Sequence, residues 1–140
     1  VLADVTGDYR SKGNGNWNNP LSWEVYNSIT GLWTQATEYP GEIFTGFPYP
    51  TVTILETHII TIPNTITIPY EIKELSISGS LILGNGLSTF KEVIFTTSLV
   101  TIESTGELSF NGTKIRLNLP KSDSVIAIEI GGNIIGFVFE

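Results

Sequence analysis

From residue 51 onward the chain alternates hydrophobic and polar positions in short runs. Thr51-Val52-Thr53-Ile54-Leu55 is the clearest, with Val52 and Ile54 on one face and the threonines on the other. A two-residue period of this kind belongs to a half-buried strand. The same reading predicts strands at Ile59–Ile62, Ile66–Ile68, Glu74–Ser78, Ser80–Leu83, Glu92–Thr96 and Leu99–Glu103. Four more follow at Glu107–Phe110, Lys114–Leu119, Val125–Ile130 and Asn133–Phe139. Gly, Asn, Pro or Ser punctuates most of these runs, as turns require. The β-branched side chains that dominate them are stiff at χ1 and fit a pleated surface. No stretch carries a 3.6-residue period with caps, so little or no helix is expected.

Many short strands suit either a β-sandwich or a β-solenoid, and an internal repeat favours the second. Gly79-Ser80-Leu81-Ile82-Leu83-Gly84 recurs as Gly106-Glu107-Leu108-Ser109-Phe110-Asn111, and more loosely as Gly132-Asn133-Ile134-Ile135-Gly136-Phe137. The glycines are about 27 and then about 26 residues apart, which is the length of one solenoid coil of three short strands. The expected fold is all-β: a short parallel, right-handed β-helix-like solenoid of about three coils over 51–140, with a β-sandwich as the alternative.

Residues 1–50 are built differently. They hold all three tryptophans and four of the five tyrosines, and only two of the nineteen isoleucines. This segment is expected to be an irregular aromatic cap over the first coil, within one domain. Trp17 and Trp23 are expected in the core of that cap.

The chain is 41% hydrophobic and 15% charged, a balance that excludes a disordered tail. Its net charge of -7 repels phosphate backbones and anionic membrane surfaces, so no nucleic-acid partner is expected. No apolar run reaches the length of a membrane span, so no membrane insertion is expected. The absence of cysteine removes thiol catalysis and cysteine-ligated metals. Val1-Leu2-Ala3-Asp4 turns polar at once, as in a mature chain without its leader or an excised piece.

The stretch Gly13-Asn14-Gly15-Asn16-Trp17-Asn18-Asn19-Pro20-Leu21-Ser22-Trp23 resembles the opening of β-rich repeat modules in large secreted surface proteins of Bacteroidetes. Thr51-Val52-Thr53-Ile54, His58–Ile62 and Glu74–Leu83 resemble the strands that follow in those modules. The layout is also similar to the eight-glycine extracellular domain of animal surface proteins. The resemblance spans about residues 11–112 and rests on structural residues. It implies an exported, extracellular or cell-surface location, inside a larger adhesin or enzyme. The segment between Trp23 and Thr51 is longer than those modules usually carry.

Candidate chemistry is sparse. His58 is the single histidine and reads as a strand residue rather than a lone acid or base. No Ser occupies a nucleophile-elbow sequence, and no cofactor motif is present. Lys114, Arg116 and Asn118 share one strand face and could meet a polysaccharide. Trp33, Tyr39 and Tyr49, in the long segment, are the aromatic candidates for stacking on sugar rings. Ser124 fits a short O-glycosylation pattern, and Asn111-Gly112-Thr113 an N-glycosylation sequon. Thr51/Thr53 and Thr65/Thr67 would form a threonine row if stacked, but Leu81/Leu83 and Leu108/Phe110 are taken as their later equivalents and end it.

The expected role is that of a non-catalytic structural or adhesive module, with a carbohydrate-binding module on a larger exported protein as the alternative. Ile134–Phe139 begins a fourth coil, and an uncovered strand of that kind invites another. Its expected partners are other copies of the chain, head-to-tail into a fibre, or adjoining domains.

Overall fold

The computed structural model describes residues 4–44, 48–112, 114–120 and 127–136. Coil follows coil from residue 51. The first turn is built from β5 (Thr51–Ile54), β6 (Ile59–Ile62) and β7 (Ile66–Thr67), preceded in the chain by β1 (Tyr9–Ser11), β2 (Gly15–Asn16), β3 (Trp23–Asn27) and β4 (Leu32–Gln35). The second holds β8 (Glu74–Ile77), β9 (Ser80–Leu83) and β10 (Lys91–Ile94). The third holds β11 (Leu99–Ile102), β12 (Glu107–Phe110) and β13 (Ile115–Asn118). β14 (Ala127–Ile130) and β15 (Asn133–Ile135) begin a fourth.

Corresponding strands of successive turns pair in parallel, giving three sheets ordered β14-β11-β8-β5-β1-β3-β4, β15-β12-β9-β6-β2 and β13-β10-β7. The chain is therefore a β-solenoid of about three turns, and the sandwich alternative is excluded. The repeat read from the sequence is the stacking register itself: Ser80, Leu81, Ile82 and Leu83 lie against Glu107, Leu108, Ser109 and Phe110. Register corrects one expectation. Thr51 and Thr53 stack on Glu74 and Ser76, then Leu99 and Thr101, so the row ends for a different reason from the one inferred.

Columns of inward side chains make the core. Val52, Leu75 and Val100 form one column and Ile54, Ile77 and Ile102 the next, each residue at most 2% exposed. The outward partners Thr53, Ser76 and Thr101 alternate with them, as the pleat demands.

Residues 1–50 are less irregular than their sequence suggests. β1 and β2 pair in parallel with β5 and β6, so they continue the stack upward. β3 then turns back antiparallel on β1, and β4 on β3. The chain reaches β3 through a single 3₁₀ turn, Pro20–Ser22, in which the Asn19 side chain accepts the Leu21 N–H and Pro20 needs no donor. Trp17 and Trp23 are fully buried over the end of the core, edge to face at 5.0 Å. Trp17 Nε1 donates to the Pro40 carbonyl and Trp23 Nε1 to the Trp17 carbonyl, so neither indole N–H is stranded.

Three polar side chains finish the backbone ladder at this end. In the second turn, Ser78 N–H donates to the Ile54 carbonyl and Ser80 N–H to the His58 carbonyl of the turn above. The equivalent donors of the first turn, Leu55 and Ile59, have side-chain acceptors instead: Ser11 Oγ at 2.8 Å and Asn14 Oδ1 at 2.8 Å. Asp8, 5% exposed, accepts Thr51 N–H on one carboxylate oxygen and Val5 N–H on the other. Each meets a donor beside the short pairings of β1 and β2 with the first turn, and each unmet donor would cost about 1–3 kcal/mol.

Candidate functional site

The antiparallel hairpin β3–β4 puts its alternate residues on the outer face of the seven-stranded sheet. Pairing Tyr26 with Trp33 across the hairpin brings their rings to 5.2 Å. Arg10, which is opposite Glu24, lies over Trp33 with its guanidinium carbon 4.4 Å from the ring centroid. Arg10 Nε also donates to Glu24 Oε1 at 3.0 Å. Further along the same face, Lys12 Nζ donates to Gln35 Oε1 at 2.7 Å, and Gln35 Nε2 reaches the Pro20 carbonyl at 2.9 Å. A half-buried aromatic pair thus sits beside a cation, a carboxylate and an amide. The guanidinium–indole stack fixes the orientation of Trp33 and is worth about 0.5–1 kcal/mol at such a site.

The six carbohydrate candidates read from the sequence do not converge on one surface. Trp33 is on β4 of the seven-stranded sheet. Arg116 and Asn118 are exposed on β13 of the three-stranded sheet, with Lys114 exposed just before it. Arg116 lies 3.6 Å from Glu92 and over the Phe90 ring, so its charge has local company. Tyr39 packs against the core, and its backbone N–H donates to Glu42. Burial, then Glu42, pushes its phenol above the ordinary value. Tyr49 is half-buried in the loop before β5. Ser124, and the threonine of the Asn111 sequon, lie outside the described residues.

Tyr26 belongs to the aromatic set of the first fifty residues, but Arg10 and Glu24 were not singled out from sequence. The alternation Glu24-Val25-Tyr26 carried a signal for Glu24, whereas Arg10 joins only through the antiparallel register of β1 on β3.

His58 has an unexpected partner. Ser11 Oγ lies 2.7 Å from His58 Nδ1, in a hydrogen bond whose donor is set by the imidazole tautomer, and it also accepts the Leu55 N–H. Serine and histidine at this distance resemble a nucleophile and its base. Ser11 is fully buried, however, and its oxygen already closes the ladder, so the pair joins the cap to the first turn.

Tyr9 is the other perturbed group. It is 3% exposed, and burial, followed by Glu38 and Glu42, pushes its phenol from 10.0 to about 12. A raised folded-state value favours the neutral form, so its stabilisation is intact below pH 10 and lost as pH rises through about 12. Urea unfolding of wild type should lose roughly 2–3 kcal/mol over that window beyond whatever Tyr9→Phe loses. Parallel pH profiles for the two proteins would refute this assignment.

Comparison of the chain with protein-family models, curated proteins and solved structures finds no match.

Proposed function

We propose that the chain is a non-catalytic structural and adhesive module of an exported, extracellular bacterial surface protein, of the repeat type its Gly13–Trp23 stretch resembles. The carrying observation is how its polar side chains are used. Asp8, Ser11 and Asn14 complete the backbone ladder, and Ser11, which could have served a histidine as a nucleophile, is sealed inside. What remains is a short rod closed at one end, with broad polar faces for contact.

A second reading, carbohydrate binding, is favoured by the Tyr26–Trp33 pair beside Arg10, Glu24 and Lys12. An indole ring stacks on the apolar face of a sugar, while the neighbouring charges and amide reach its hydroxyls. The net charge of -7 favours a neutral polysaccharide over an acidic one.

One assay addresses both readings. The chain is passed over immobilised neutral polysaccharides, and the eluate is analysed for new reducing ends. Retention without cleavage is expected, and Trp33→Ala should abolish retention while the chain stays folded, at a cost of about 1–2 kcal/mol from the lost ring contacts. New reducing ends would overturn the non-catalytic reading. Unchanged retention by Trp33→Ala would overturn the carbohydrate site.

A further inference from the structure

The outer face of the seven-stranded sheet carries a second feature beside the aromatic pair. Arg10, Thr53, Ser76, Thr101 and Glu129 are direct cross-strand neighbours on β1, β5, β8, β11 and β14, so they form one row along the solenoid axis. The hairpin extends this row from Arg10 to Glu24 and then to Gln35. Every member is polar, one per strand, at the strand spacing of about 4.8 Å. The middle of the row is a ladder of half-buried hydroxyls. Thr53 Oγ1 and Thr101 Oγ1 have no protein partner among the described residues. Ser76 Oγ donates to Glu103 Oε1 at 3.2 Å, which leaves its lone pairs open. The other sheets differ. Both outward rows of the five-stranded sheet contain isoleucine, at Ile59 in one and at Ile82 and Ile135 in the other. On the three-stranded sheet Ile94 interrupts one row, and the Glu92–Arg116 ion pair occupies the other.

We propose that this row is the track of an extended, neutral polysaccharide, which lies along the solenoid axis with one sugar stacked at Trp33 and the following ones over the hydroxyl ladder. The inference rests on the carbohydrate reading and specifies its ligand. Hydroxyls both donate and accept, so a row of them matches a chain whose own edges are hydroxyls. The repeat of the row is one strand, close to the advance of one ring in an extended glycan, so successive rings meet successive hydroxyls in register. A helically coiled glucan has no such straight edge and would leave the face after a short contact. Charge selects against an acidic chain. Arg10 is paired with Glu24 and Lys12 with Gln35, whereas Glu74, Glu103 and Glu129 flank or end the ladder. The row also has no apolar member to anchor a protein.

Trp33 is on β4, five strand steps from Thr101 on β11, a span of roughly 24 Å. The test is calorimetric titration of the chain with cello-, manno- and xylo-oligosaccharides, all ribbon-like, from disaccharide to hexasaccharide. Affinity for at least one series should rise with length until the ligand covers that span, and malto-oligosaccharides, which coil, should show no such rise. Thr101→Val keeps the side-chain shape and the strand preference. It should weaken hexasaccharide binding about threefold to tenfold, the worth of one hydrogen bond, and leave disaccharide binding unchanged. Thr61→Val, on the outer face of the five-stranded sheet, should change neither. Equal affinity at all lengths, a matching rise with malto-oligosaccharides, or hexasaccharide binding unaltered by Thr101→Val would overturn the axial track while leaving the Trp33 site standing. Binding that survives Trp33→Ala, or no binding by any series, would overturn the carbohydrate site and the track with it.

Discussion

Gly106→Ala is expected to prevent the solenoid from forming its third turn, at a cost above about 4 kcal/mol. Gly106 stands at the corner between β11 and β12, where an added Cβ would fall well inside contact distance of the Ile77 carbonyl oxygen. The Ile77 carbonyl carbon, at 2.9 Å, and the Glu103 carbonyl oxygen, at 3.1 Å, crowd it too. All three obstacles are backbone, so no side chain can swing away. The turns would have to separate, breaking Glu107 N–H to the Gly79 carbonyl and Asn133 N–H to the Gly106 carbonyl. Gly79 and Gly132 occupy the same corner in the neighbouring turns and meet carbonyl oxygens in the same way. A cost of that size consumes much of the 5–15 kcal/mol available to a domain. Gly13→Ala is the control, since nothing lies within 4 Å of its added Cβ. Urea midpoints that coincide for the two variants would refute the corner argument.

Trp17→Ala should cost about 3–5 kcal/mol, the range for truncating a large buried aromatic. The Trp17 ring stacks on Phe95 at 6.1 Å and meets Trp23 edge-on. Its loss opens a cavity between the cap and the second turn and leaves the Pro40 carbonyl without the indole donor. Leu21→Ala, at a position 69% exposed, should be nearly neutral by comparison. Thermal melts that place both variants together would mean that Trp17 is not the keystone of the cap.

Much of the fold could be read from the chain because a solenoid is locally encoded. Each strand declares itself by its own alternation, and the corner glycine of each turn repeats at the coil length. The strand expectations at Ile59–Ile62, Ser80–Leu83 and Glu107–Phe110 agree with the structure residue for residue. Others are trimmed: Glu92–Thr96 becomes Lys91–Ile94, with Lys91 turned inward and 8% exposed. Its ammonium is satisfied by Thr89, a contact that no alternation pattern announces.

The candidate surface was only partly legible. Trp33 and Tyr26 could be picked out by type, but their charged neighbours could not, because Arg10 and Trp33 are separated by a turn, a hairpin and an antiparallel reversal. The grouping of Trp33 with Arg116 and Asn118 separates onto two sheets once the register is known. The polar cap was missed for a related reason. Asp8, Ser11 and Asn14 recur every three residues, a spacing that does not follow the two-residue period of a strand, and they acquire meaning only opposite Thr51, Leu55 and Ile59.

By itself the sequence determined which residues form strands, which faces turn inward, and that the strands repeat as coils, since side-chain alternation and corner glycines act within a few residues. The tertiary structure alone decided how the ladder ends. At the first turn the backbone donors of Thr51, Leu55 and Ile59 are met by the side chains of Asp8, Ser11 and Asn14, distant residues that only the fold brings to them. It also decided that Ile128 and Ile130, indistinguishable in sequence from the buried isoleucines before them, are half exposed, because β14 has a strand on one side only among the described residues.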